Sequence, residues 1–221
     1  MKPLLCILKV REIPQCLESY DAALSIIDQV FICGFREIEI EAQNVFTSAV
    51  QEAKWQGYTH IMMISDDATI SNEAVLEVLR LTKQYGIATG FCRLDYTSAF
   101  VNLSYDQLLD RRPRGLSDYR LIKYDKMPDG DFETTFTGFA LTCMPIELWE
   151  RYPFECIYDG PPHNGSCSDW MLCKRMGKDG FKWWTNRNTE VIHEKIKAST
   201  VIGQKFFIGP EHQNVIWKKR K

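Results

Sequence analysis

Thr59-His-Ile-Met-Met-Ile-Ser65 is a strand-length, mainly apolar run that ends directly in two carboxylates, Asp66-Asp67. It shows no alternation of polar and apolar residues, which is the pattern of a strand buried on both faces. Similar runs stand on either side of it: Leu4 to Val10, Gln29 to Gly34 and Ile87 to Cys92. Helical spacing fills the gaps. Pro14 suits a helix start, and Leu17, Tyr20, Leu24 and Ile27 recur at steps of three and four. Ala42, Val45, Ala49 and Ala53 share a face ahead of Gly57, and Ser71 or Asn72 can cap a helix carrying Val75, Val78 and Leu79 that Gly86 stops. Strand and helix alternating in this way predict an α/β fold with a mainly parallel central sheet flanked by helices.

The pattern changes beyond residue 95. Tyr96 to Tyr105 and Tyr119 to Lys126 read as strands around the basic connection Arg111-Arg-Pro-Arg-Gly115. Phe136 to Met144 reads as a further strand, and Pro145 opens a short helix through Tyr152. Ser168 caps a helix that ends near Gly177 or Gly180, and Phe181 to Thr185 and Thr189 to His193 close the series as short strands. The expected organisation is a single domain over 1–194, with 1–95 as a nucleotide-binding half and 96–194 as an acceptor and metal half. Residues 195–221 follow as a lid or tail.

The chain has 221 residues, 45% of them hydrophobic, enough for a substantial core. A net charge of −2 argues against nucleic acid as the partner. No apolar run reaches the length of a membrane span, and the first ten residues do not form a signal peptide, so a cytoplasmic protein is expected. The eight cysteines form no C-x-x-C pair, and Cys6, Cys33, Cys92 and Cys143 sit singly in apolar segments as small core residues. Cys156 and Cys167 flank a turn-rich stretch and could be bonded or free.

Three places carry candidate chemistry. Asp66 and Asp67 lie at the carboxyl end of a strand, where open α/β sheets bind ligands. Two adjacent carboxylates repel, and a hard divalent cation would relieve them, although aspartates also occur there as helix-start acids. Asp169 falls in the first turn of a helix, suited to a general base and equally to a plain N-terminal acid. His193 ends the pair Val191-Ile192, where a neutral imidazole could ligate a metal.

As an ordered set these residues resemble the GT-A glycosyltransferases, above all the inverting, family 2-like members. Thr137-Gly-Phe-Ala-Leu-Thr-Cys-Met-Pro-Ile-Glu-Leu-Trp149 matches the family's Gly-containing strand. Ser168-Asp-Trp-Met-Leu-Cys-Lys-Arg-Met-Gly177 and Gly180-Phe-Lys-Trp-Trp184 match the helix opened by an acidic pair and the strand after it. Val191-Ile-His193 matches the closing histidine, and Ser65-Asp-Asp67 resembles the DXD motif with Ser65 at its first acidic position. The match extends over most of Met1 to about Glu194. Only Asp169 of the usual acidic pair carries over, and Cys33-Gly-Phe-Arg36 replaces an Asp-rich turn.

The resemblance implies transfer of a sugar from a nucleotide-diphosphate donor to an acceptor hydroxyl, on a glycan, a protein or a lipid-linked acceptor. Asp169 would be the general base, and Asp67 and His193 would hold a divalent metal, Mn2+ or Mg2+. Asp66 and Asp67 would face the donor. Arg11, after the first strand, could meet phosphate or base, or be a solvated loop residue. Trp170, Trp183 and Trp184 could stack on an acceptor sugar or pack in the core. The tail's Gly203, Gly209 and Pro210 suit a lid, and Trp217 with Lys218-Lys-Arg-Lys221 suits either a peripheral anionic membrane contact or a frayed, solvated terminus. Two other classes share parts of this pattern. A nucleotidyltransferase would need a Gly-rich phosphate loop, which Lys9-Val-Arg-Glu-Ile-Pro14 lacks. A non-catalytic nucleotide-sugar-binding protein would tolerate Ser65.

Overall fold

The computed structural model describes residues 1–9, 13–33, 38–94, 99–105, 120–154, 168–194 and 215–220. The first third builds as its periodicity requires. Strand β1 (Pro3–Lys9) leads through helix α1 (Pro14–Ala23) to β2 (Asp28–Cys33), then through α2 (Ile38–Trp55) to β3 (His60–Ser65). β1 pairs in parallel with both, Leu4 opposite Asp28 on one side and Ile61 on the other. Pro14 stands at the helix start, where its missing N–H costs nothing. Helix α1 stops at Ala23, earlier than the spacing of Leu24 and Ile27 predicts. Ile27 is still fully buried, but from the turn that feeds β2.

After the short strand β4 (Ala68–Thr69), helix α3 (Asn72–Tyr85) is capped by Ser71, whose Oγ accepts from the Ala74 N–H at 3.0 Å. Gly86 ends it at φ +91°, a conformation that favours glycine. β5 (Ala88–Thr89) follows. The expected strand over Phe136 to Met144 is in fact two: β9 (Phe136–Thr137) and β10 (Thr142–Pro145). The chain breaks where Gly138 approaches Asn102, leaving 2.8 Å between a built Cβ and Asn102 Nδ2, and where Phe139 takes φ +50°. β10 runs antiparallel between β3 and β5, so the sheet is mixed.

The remaining strands are β6 (Phe100–Ser104), β7 (Leu121–Lys123), β8 (Phe132–Thr134), β11 (Trp183–Thr185), β12 (Ile192–His193) and β13 (Val215–Lys218). Helices α4 (Ile146–Arg151) and α5 (Ser168–Lys178) complete the described elements. β7 ends sooner than predicted, because a 3-10 turn takes Tyr124–Lys126, while Tyr96 and Tyr119 lie outside the described residues. Among the described residues the main sheet has the order β13-β2-β1-β3-β10-β5-β11-β8. Helices cover it on both faces. Phe46, Val50, Trp149, Leu172 and Met176 fill one apolar layer, and Tyr20, Val75, Val78 and Leu81 fill the other. Cys6, Cys16, Cys92, Cys143 and Cys173 are buried free thiols, while Cys156 and Cys167 lie outside the described residues.

The end of the chain corrects the expectation of a frayed terminus. β13 pairs antiparallel with β2, Val215 opposite Ile32 and Lys218 opposite Gln29. Trp217 stacks on Tyr58 with ring centroids 6.3 Å apart. The Tyr58 hydroxyl donates to Asp28 Oδ2 at 2.7 Å, and the Arg220 N–H donates to Asp28 Oδ1 at 2.8 Å. The proposed lid glycines, Gly203 and Gly209, lie outside the described residues. Among the described residues no helix is long and apolar enough to cross a membrane.

Candidate functional site

β1, β2, β3 and β5 all end on one edge of the sheet, because β10 is antiparallel to both β3 and β5. β3 delivers Ser65, Asp66 and Asp67 to that edge. Asp66 is 2% exposed, whereas Asp67 is half-buried. β12 returns alongside β4 in antiparallel register, His193 opposite Ala68, and the Glu194 N–H donates to the Asp67 carbonyl at 2.6 Å. Residues 126 apart in sequence thereby meet: His193 Nε2 stands 3.1 Å from Asp67 Oδ2.

The surroundings of this pair were only partly visible in the sequence. Ser65 Oγ donates to Asp67 Oδ1 at 2.6 Å, the length of a charge-assisted O–H···O bond. Tyr20, from α1, places its hydroxyl 2.9 Å from the Ser65 carbonyl and 2.8 Å from the Ala68 carbonyl. Thr69 Oγ1 donates to Glu194 Oε1 at 3.0 Å, with Cys16 Sγ 3.7 Å behind it. Burial first, then the neighbouring Cys16 thiol and the Asp66 and Asp67 carboxylates, push the Tyr20 phenol well above the ordinary tyrosine range, so it stays a donor. Burial pushes the Cys16 thiol up to about 11; the Thr69 hydrogen bond opposes this, and the Glu194 and Asp67 carboxylates add to it. Cys16 is therefore a protonated packing group at neutral pH, not a nucleophile. Ser65 could have been found as a hydroxyl at a strand end two residues before Asp67, where short polar side chains bond their near neighbours across a turn. Nothing in the sequence pointed to Tyr20 beyond its place on the buried face of α1.

A carboxylate oxygen suits Mn2+ or Mg2+, and the imidazole nitrogen beside it favours Mn2+, because Mg2+ takes oxygen ligands. Neighbouring ligands around an octahedral ion of that size stand about 3 Å apart. The 3.1 Å between Nε2 and Oδ2 fits that spacing, as it also fits a direct hydrogen bond. Among the described residues no group of three or more His, Cys, Asp or Glu side chains could hold a metal. A metal on Asp67 and His193 would draw its other ligands from a diphosphate and water, the usual habit of Mg2+.

Asp169 lies in the first turn of α5. Its Oδ1 accepts from the Trp170 N–H at 2.7 Å. Cys173, one turn on, donates to the Thr137 carbonyl at 3.7 Å, which docks the helix on β9. Among the described residues Asp67 and His193 meet each other, and Asp169 forms no hydrogen bond with either. Arg11 lies outside the described residues. The three tryptophans are engaged in packing: Trp183 and Trp170 are buried, and Trp184 stacks on Tyr85 with centroids 3.7 Å apart.

No protein-family model matches the sequence, and no curated protein matches it significantly. Among solved structures, A197 from STIV matches with a TM-score of 0.49 and 11% identity, over 100% of this chain and 96% of that one. A likeness this distant carries no argument about activity.

Proposed function

We propose that this chain is a metal-dependent glycosyltransferase with a GT-A-like fold, moving a sugar from a nucleotide-diphosphate donor to an acceptor hydroxyl. The observation that carries the reading is the meeting of Asp67 and His193, 3.1 Å apart at the carboxyl edge of the sheet. The mixed sheet, with β10 antiparallel among parallel strands, and the place of Asp169 in the first turn of α5 also support it.

Asp67 and His193 would hold the metal, which when bound neutralises charge on the diphosphate leaving group. Asp169 would accept the proton of the acceptor hydroxyl as that oxygen attacks the anomeric carbon. The acceptor is a glycan, a protein or a lipid-linked molecule. The test is to incubate the protein with a panel of nucleotide-sugars and Mn2+ and to measure release of the nucleoside diphosphate. The reading predicts release from one donor class that stops with a chelator. No release from any donor, or release indifferent to the chelator, would count against it.

A further inference from the structure

We infer that Ser65 and Tyr20 are positioning residues that set the Asp67 carboxylate for cation binding, an inference that rests on the metal reading above. In the DXD resemblance Ser65 occupies a place expected to be acidic. The geometry gives it a different task. Its hydroxyl donates to Asp67 Oδ1 at 2.6 Å and so fixes the carboxylate plane, while Oδ2 faces His193 Nε2 at 3.1 Å. A carboxyl group has a soft terminal torsion, and a bond to one oxygen is the direct way to aim the other. A neutral hydroxyl does this without adding a like charge beside Asp66 and Asp67, as an aspartate at 65 would.

Tyr20 acts on the backbone of the same turn. Its hydroxyl lies within hydrogen-bond distance of the Ser65 and Ala68 carbonyls, the two ends of the turn that carries both aspartates. The ring belongs to the apolar layer beneath α1 and is 1% exposed, so the hydroxyl is delivered from a rigid support. On the other side the turn is tied to β12 through the Glu194 N–H bond to the Asp67 carbonyl and the pairing of His193 with Ala68. The turn is thus held from below by α1, from the side by β12, and at the carboxylate itself by Ser65. Groups behind the ligands of a metal site commonly govern affinity by orienting those ligands.

The experiment is a titration of metal-stripped protein with Mn2+ alone, read by the electron paramagnetic resonance signal of free Mn2+. The proteins are wild type, Ser65→Ala, Ser65→Thr, Tyr20→Phe and Tyr58→Phe. Tyr58 is a comparison because its hydroxyl is also buried and bonded, but to Asp28 at the far end of β2. Ser65→Ala and Tyr20→Phe should each weaken Mn2+ binding by about 10-fold or more. Ser65→Thr, which keeps the hydroxyl, should restore most of the affinity, and Tyr58→Phe should leave it unchanged. Wild-type affinity in both Ser65→Ala and Tyr20→Phe would overturn the inference and leave the metal reading standing. Equal losses in Tyr20→Phe and Tyr58→Phe would overturn it for Tyr20, as a general effect of lost stability. Failure of the wild type to bind Mn2+, both alone and with a nucleoside diphosphate present, would overturn the metal reading and this inference with it.

Discussion

Asp28→Asn should weaken the attachment of the C-terminal strand, and its effect should depend on pH. Asp28 is the hub of the β2–β13 edge. It accepts from the Tyr58 hydroxyl at 2.7 Å and from the Arg220 N–H at 2.8 Å, with Arg220 Nε a further 3.4 Å away. Burial opposes its charge, but the Arg220 N–H, the Tyr58 hydroxyl and the Arg220 and Lys219 cations outweigh burial and hold the carboxyl below its ordinary range. A carboxylate depressed in this way stabilises the fold above the unfolded-state pKa, and that contribution is lost as pH falls through the folded-state value. Asparagine keeps one acceptor oxygen but removes the charge from both bonds and the ion pair. Hydrogen bonds to a charged group contribute about 1.5–3 kcal/mol, so a loss of roughly 2 kcal/mol at pH 7 is expected. For a chain of this size that lowers the midpoint of thermal unfolding by about 4–8 °C. The assay is denaturant unfolding of wild type and variant at pH 7 and again below the ordinary carboxylate range. The gap between them should shrink at the acid end, where the wild-type Asp28 also loses its charge. A gap of equal size at both pH values, or none at pH 7, would show that the Asp28 charge does not hold β13 to β2.

Three further outcomes follow from the packing and the proposed chemistry. Trp149→Ala should destabilise by roughly 3–5 kcal/mol in chemical unfolding, because the ring is 2% exposed and its Nε1–H donates to the Ile61 carbonyl at 3.1 Å. Gly90→Ala should cost about 1–3 kcal/mol and also weaken Mn2+ binding. Its Cβ would lie 2.7 Å from the Thr189 carbonyl oxygen and push the chain that leads to His193, whereas Gly177→Ala, with nothing within 4 Å, should be stabilising in the same unfolding assay. Asp169→Asn should abolish sugar transfer while nucleotide-sugar binding, measured by calorimetry, stays within a few-fold of wild type. A loss of only a few-fold in rate would make Asp169 a structural acid.

The parts of the fold legible in the sequence are those fixed by local pattern. The runs around Leu4, Val30 and Met62 are buried on both faces, so continuous apolar sequence marked β1, β2 and β3 to within a residue or two. Ser71 and Gly86 bound α3 through backbone chemistry that needs no tertiary partner. Direction and pairing were not legible. Thr142–Pro145 is buried like a parallel strand, and nothing in its residues shows that it runs the other way. The end of the chain was misread because Lys218, Lys219 and Arg220 look solvated until Asp21, Tyr58 and Asp28 are seen beside them. At the candidate site, the sequence singled out Asp67 and His193 separately. Only the β4–β12 pairing shows them in contact, and only the packing of α1 shows that Tyr20 reaches the same turn.

If Asp67 and His193 form a cation site that serves a nucleotide diphosphate, binding of the nucleotide must depend on the metal. Isothermal titration of metal-stripped protein with nucleoside diphosphates, with and without Mn2+, tests it most directly. Binding that requires Mn2+ and disappears in Asp67→Asn and His193→Ala is the predicted result. Equal affinity with and without the metal, or undiminished Mn2+-dependent binding in both variants, would contradict it.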